Sequence, residues 1–137
     1  MNKLIRYTLM LATLGSLTTL AYGDIAVADL SLEMTETAAH VHVALVNSDN
    51  YVTQEGPVKV TLFARPNSSS DWKVAMVWND IPEMSAGREV TRNASSASSP
   101  VLGTVIGHPD WQAKIVVEMP KNVTFEKSVV YEDSASR

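Results

Sequence analysis

From residue 24 onward, apolar and polar residues alternate with period two in short runs, and clusters of Pro, Gly, Asn and Ser separate one run from the next. Successive side chains of an extended strand point to opposite faces, so each run has an oily side and a wet side, and stacking two sheets hides the oily sides together. In HVHVALVN, residues Val41, Val43 and Leu45 share one face while His40, His42 and Ala44 share the other, ahead of the turn-forming cluster Asn47–Asn50. In DIAVADLSLE the parity switches at Ala28–Asp29, as a bulge or a strand changing sheets would produce. The runs VKVTLFAR and WKVAMVWN flank Pro66–Asp71 and predict a hairpin, with Trp72, Val74, Met76 and Trp78 on one core-packing face.

The second half continues the pattern. One strand is expected around Arg88–Asn93, then an exposed, mobile serine-rich loop through Ser95–Ser99, then a short strand in VLGTVIG. The segments WQAKIVVEM and VTFEKSVVY supply the last two strands, and no stretch carries the period of an amphipathic helix. Seven to eight short strands in about a hundred residues predict an all-β fold, an antiparallel immunoglobulin-like β-sandwich forming one domain over residues 24–137.

The first residues read differently. Lys3 and Arg6 precede an apolar run from Tyr7 to Leu20, which ends in the small-residue sequence Ala21-Tyr22-Gly23. This is the layout of a signal peptide over residues 1–23, cleaved after Gly23 or after Ala21, with a periplasmic or secreted destination. The run falls short of the roughly 20 apolar residues a bilayer needs, so no stable membrane insertion is expected after cleavage. Losing Lys3 and Arg6 takes the eleven basic residues to nine against fifteen acidic ones, a net charge of −6. An acidic surface without a basic cluster argues against nucleic acid and anionic membranes as partners. With no cysteine, disulfides, thiol catalysis and thiolate metal ligation are excluded, and the core alone must hold the domain.

Few constellations could carry chemistry. His40 and His42 are metal-ligand candidates because residues two apart on a strand share a side, but only His108 remains as a further histidine, and Glu33, Glu118 or Asp110 would have to complete the sphere. A plain solvent face explains the pair without any addition, so no metal and no cofactor is expected. No G-x-S-x-G occurs, and the serines cluster in polar loops, so no enzyme activity is expected. What remains for recognition are strand edges and loops: an edge near Arg88–Ala94 carrying Arg88, Glu89 and Arg92, and the loops Asn47–Glu55 and Gly107–Trp111 with Tyr51, His108 and Trp111. Tyr51 and Trp111 border loops and could also stack on a sugar.

Four stretches, Asp24–Val27, Val41–Asn47, Ile81–Glu89 and Val117–Glu126, resemble the strand motifs of the cell-adhesion-related domain found in bacteria, the CARDB-like family. The resemblance spans almost all of the chain after residue 23 and implies an immunoglobulin fold with an adhesive role. The expectation is an exported, non-catalytic module that binds a protein of the cell envelope or extracellular space, or forms part of a surface assembly. The alternatives are a carbohydrate- or metal-binding accessory protein, or a filament subunit assembled by strand complementation, and the strand edges leave homo-oligomers open.

Overall fold

The computed structural model describes residues 5–8, 25–48, 57–119 and 123–132, with the backbone alone for residues 5–8 and 123. The elements are β1 (Ile5–Thr8), β2 (Ile25–Met34), β3 (Ala39–Asn47), β4 (Val58–Arg65), β5 (Lys73–Ile81), β6 (Glu89–Ser95), a short helix α1 (Pro100–Gly103), β7 (Gln112–Met119) and β8 (Val123–Val130). They form two antiparallel four-stranded sheets, ordered β1-β2-β3-β6 and β5-β4-β7-β8, which stack as an immunoglobulin-like sandwich.

The period-two pattern becomes the core. Val41, Val43 and Leu45 of β3 stand opposite Leu32, Leu30 and Val27 of β2, and all six are buried. The parity switch in β2 is a bulge between Val27 and Asp29, which turns Leu30 and Leu32 inward without taking the strand to the other sheet. In the second sheet Val60, Leu62 and Ala64 pair with Val117, Ile115 and Ala113, and these too are buried.

Three local expectations are corrected. VLGTVIG is not a strand: the Ser99 hydroxyl accepts a hydrogen bond from the Leu102 amide at 3.3 Å, and Pro100 opens the helix where its missing N–H costs nothing. Leu102 and Val105, three apart, then face the core. Nor is Ser95–Ser99 a free loop, because the Ser96 hydroxyl accepts from the Ala39 amide at 3.1 Å, and Ser99 is buried. In β5, Leu62 pairs with Met76 but Phe63 with Val74, leaving Ala75 as an extra residue. That bulge sends Val74 to the outer face, 50% exposed, while Met76 and Trp78 stay packed on the core.

One buried polar side chain organises an end of the sandwich. Asn47 donates through Nδ2 to the Met84 carbonyl at 2.9 Å, and its backbone bonds the Arg88 carbonyl and the Gly87 amide, both at 2.9 Å. Gly87 has φ +77°, which a side chain would strain. At the open margin between β5 and β6, Arg92 reaches across from one sheet to Asp80 on the other, Nε to Oδ1 at 3.5 Å.

β1 lies inside the segment expected to be a leader. Among the described residues it pairs only with β2, from Ile5 opposite Met34 to Thr8 opposite Ser31. No helix among the described residues is long and apolar enough to cross a membrane.

Candidate functional site

The outer face of the first sheet carries a groove of about 480 Å³, lined by Glu33, His40, Val41, His42, Asn93, Ala94, Ser95 and Ser98. Cross-strand register assembles it, setting His40 opposite Glu33 and Ser95, and His42 opposite Ser31 and Asn93. His42 Nδ1 lies 2.7 Å from Asn93 Oδ1, and its Nε2 lies 3.8 Å from Asp29 Oδ2. Ser31 donates to Asp29 Oδ1 at 2.6 Å. The order is serine, aspartate, histidine: the carboxylate accepts the hydroxyl's hydrogen bond and stands between Ser31 and the imidazole, whereas nucleophile activation needs the imidazole in the middle. Ser31 is also fully buried, out of a substrate's reach. No group of three metal-ligating side chains is gathered among the described residues.

β6 ends the first sheet and pairs only with β3 among the described residues, so an edge does lie near Arg88–Ala94. Its charges divide. Arg88 and Glu89 are exposed at the Asn47 end, whereas Arg92 shares the inward parity of the buried Val90 and Ala94 and is engaged with Asp80. His108 is exposed beyond α1, towards the end where Arg65 meets Gln112, away from Arg88 and Glu89. Tyr51 lies outside the described residues. Trp111 is fully buried, stacked on Tyr131 at 5.7 Å between centroids, and offers nothing to a partner or a sugar.

The surface that sequence reasoning missed is the outer face of the second sheet. Register aligns Val74, Phe63 and Lys114 in one row and Val77, Thr61 and Val116 in the next. Thr61 is buried although its position in the register faces outward. Trp72 joins from the hairpin turn, with the Arg65 guanidinium 3.9 Å and the Lys114 ammonium 4.8 Å from its ring centre. Lys114 also lies 5.1 Å from the Phe63 ring, and Arg65 donates to Gln112 Oε1 at 2.8 Å. These contacts immobilise the aromatic rings and set two cations among apolar side chains, in a chain whose overall charge is −4. Outward positions of an antiparallel sheet are ordinarily polar; here Phe63, Val74, Val77 and Val116 stand among them. The signal lay in the sequence as Phe63 and Val77, each on a wet parity, but the β5 bulge that brings Val74 beside them was invisible there.

No family model matches the chain, and no curated protein matches it. Among solved structures it is similar to β-glucosidase 3B from Thermotoga neapolitana in complex with α-D-glucose, at 10% identity and TM-score 0.44, over 82% of this chain and 16% of that one. It is similar also to a β-glucosidase from Kluyveromyces marxianus in complex with glucose, at 13% identity and TM-score 0.43, over 82% of this chain and 14% of that one. The chain thus spans only a small part of those enzymes, and likeness at this level carries nothing about its chemistry.

Proposed function

We propose that the protein is an exported, non-catalytic immunoglobulin-like module that binds a protein of the cell envelope or extracellular space through the outer face of its second sheet. The observation that carries this reading is the outward cluster of Phe63, Trp72, Val74 and Val77 beside Arg65 and Lys114, in which Val74 and Val77 are exposed and both rings partly so. Exposed apolar surface rimmed by charge is what protein interfaces present before they close, with aromatic residues and arginine as their usual anchors. Export is supported by the composition of residues 1–23, and the adhesive resemblance of the strand motifs agrees with a binding role. β6 and the loops become secondary contacts in this reading, with Arg88, Glu89 and His108 at their exposed points.

The test is a photo-crosslinking side chain placed at Val77 in intact cells of the producing organism, with the same label at Thr91 on β6 as the control. A specific envelope protein joined at Val77 supports the reading. Capture of an oligosaccharide that Trp72→Ala abolishes would replace it with carbohydrate binding, and crosslinks confined to β6 would move the interface to the first sheet.

A further inference from the structure

We propose that the hairpin end of the second sheet's outer face is a carboxylate-binding subsite, at which Arg65 and Lys114 together take an acidic side chain of the partner protein while Val77 and Val116 take apolar side chains next to it. The proposal rests on the reading of this face as an interaction surface and names the chemistry of its occupant.

The two cations are held but not neutralised. Arg65 lies on the Trp72 ring, and it donates through Nε to Gln112 Oε1 at 2.8 Å and through Nη1 to the Ser70 carbonyl at 3.3 Å. Both acceptors are neutral, and they leave other guanidinium N–H groups open. Lys114 lies over the same ring and over Phe63, and its ammonium donates to no acceptor among the described residues. No carboxylate among the described residues comes within ion-pair distance of either group, whereas Lys59 has Glu118 at 3.9 Å and Arg92 has Asp80 at 3.5 Å. Register makes Arg65 and Lys114 diagonal neighbours, since Arg65 faces Gln112 and Phe63 faces Lys114. The sheet thus keeps two like charges on one indole, in a protein of net charge −4. A carboxylate seated between them relieves that repulsion and fills the open donors with charge-assisted bonds.

Ring contacts and the Gln112 bond fix both long side chains in advance, so less rotamer freedom is left to lose on binding. The face then runs from positive through apolar to negative. Val74, Phe63 and Lys114 share a row with Ser128, the next row holds Val77, Thr61, Val116 and Glu126, and the row beyond sets Lys59 against Glu118. A phosphate or sulfate polymer laid along the strands leaves the two cations and meets Glu126 and Glu118, which repel it. A protein segment with a carboxylate at one end and apolar side chains behind it meets a matching group at each row. The charge sequence of the sheet therefore selects an acidic stretch of protein over a polyanion.

A zero-length carbodiimide joins an ammonium to a carboxylate only where the two are in contact, and it reads the pairing in intact producing cells beside the photo-crosslinking label at Val77. The expected product is an amide between Lys114 Nζ and an Asp or Glu of the same envelope protein that the Val77 label captures. Lys114→Arg keeps the charge but forms no such amide, so capture at Val77 should persist while the amide disappears. Lys114→Glu should lower capture at Val77 by about tenfold or more, the size of one lost charge-assisted bond. If Lys114→Glu fails to fold, Lys114→Gln removes the charge without reversing it and should lower capture in the same direction. Capture at Val77 with no amide in the wild type, or capture that a folded Lys114→Glu leaves unchanged, overturns the acidic partner while the interaction surface stands. An amide formed only with another residue of this protein, in the same copy or a second one, overturns it too. If the Val77 label captures nothing, both readings fall.

Discussion

At position 43 the strand face decides everything about a substitution. Val43 is buried among apolar side chains, so Val43→Asp places an uncompensated carboxylate in the core and is expected to cost at least about 3 kcal/mol. His42, one residue away, looks outward to Asn93, and His42→Ala should cost no more than about 0.5 kcal/mol. Urea denaturation of both variants measures the difference, and the reverse ranking would mean the register is wrong. This much was readable from alternation alone, because a strand's parity depends only on neighbours in sequence. Trp111 was not readable. A tryptophan after Gly-His-Pro-Asp has the surroundings of an exposed loop, yet Tyr131, twenty positions on, covers it. Its Nε1 is buried without a hydrogen-bond partner, which a sequence cannot announce. Asn47 is the converse case, a turn-forming residue by composition that the fold uses as a fully buried clamp on Met84.

Among the elements, β8 makes the clearest case for a cost accepted on an edge. Burial removes water from the Lys127 ammonium and lowers its pKa below the ordinary lysine value. The folded chain therefore holds this proton less tightly than the unfolded one, and stability contributed by this group rises as pH climbs towards the ordinary lysine range. Thermal melts at neutral and alkaline pH should show that rise in the wild type and a smaller one in Lys127→Met. An unchanged slope in the variant would remove the desolvation account. Element by element, the strands and the β4–β5 hairpin were legible because their turns are local. The helix α1 was not, since VLGTVIG satisfies strand propensity, and only Ser99 and Pro100 together, a cap and a first-turn proline, contradict it. The bulge in β5 was equally hidden, because it arises from how two strands fit and not from either alone.

For the molecule as a whole, the first question is where its chain begins in the cell. Mass spectrometry of protein recovered from the host should find the mature N-terminus near Asp24 or Tyr22. Intact Met1 on membrane-embedded material would show that residues 1–23 act as an anchor. Two stacked sheets followed from the count and spacing of the strands, but their order did not, because nothing in a single strand names its neighbour. That order has a kinetic consequence. The hairpins β2–β3, β4–β5 and β7–β8 join strands adjacent in sequence, whereas β3 must find β6 and β4 must find β7 across long intervening stretches of chain. Such non-local closures are slow, on the order of milliseconds to seconds for sandwiches of this kind. Until β4 has docked on β7, both of its hairpin's edges are bare and the core valines of β4 are wet. Refolding is then a race between a closure whose rate is fixed by the chain and an encounter whose rate grows with concentration, so dilution favours the native sandwich.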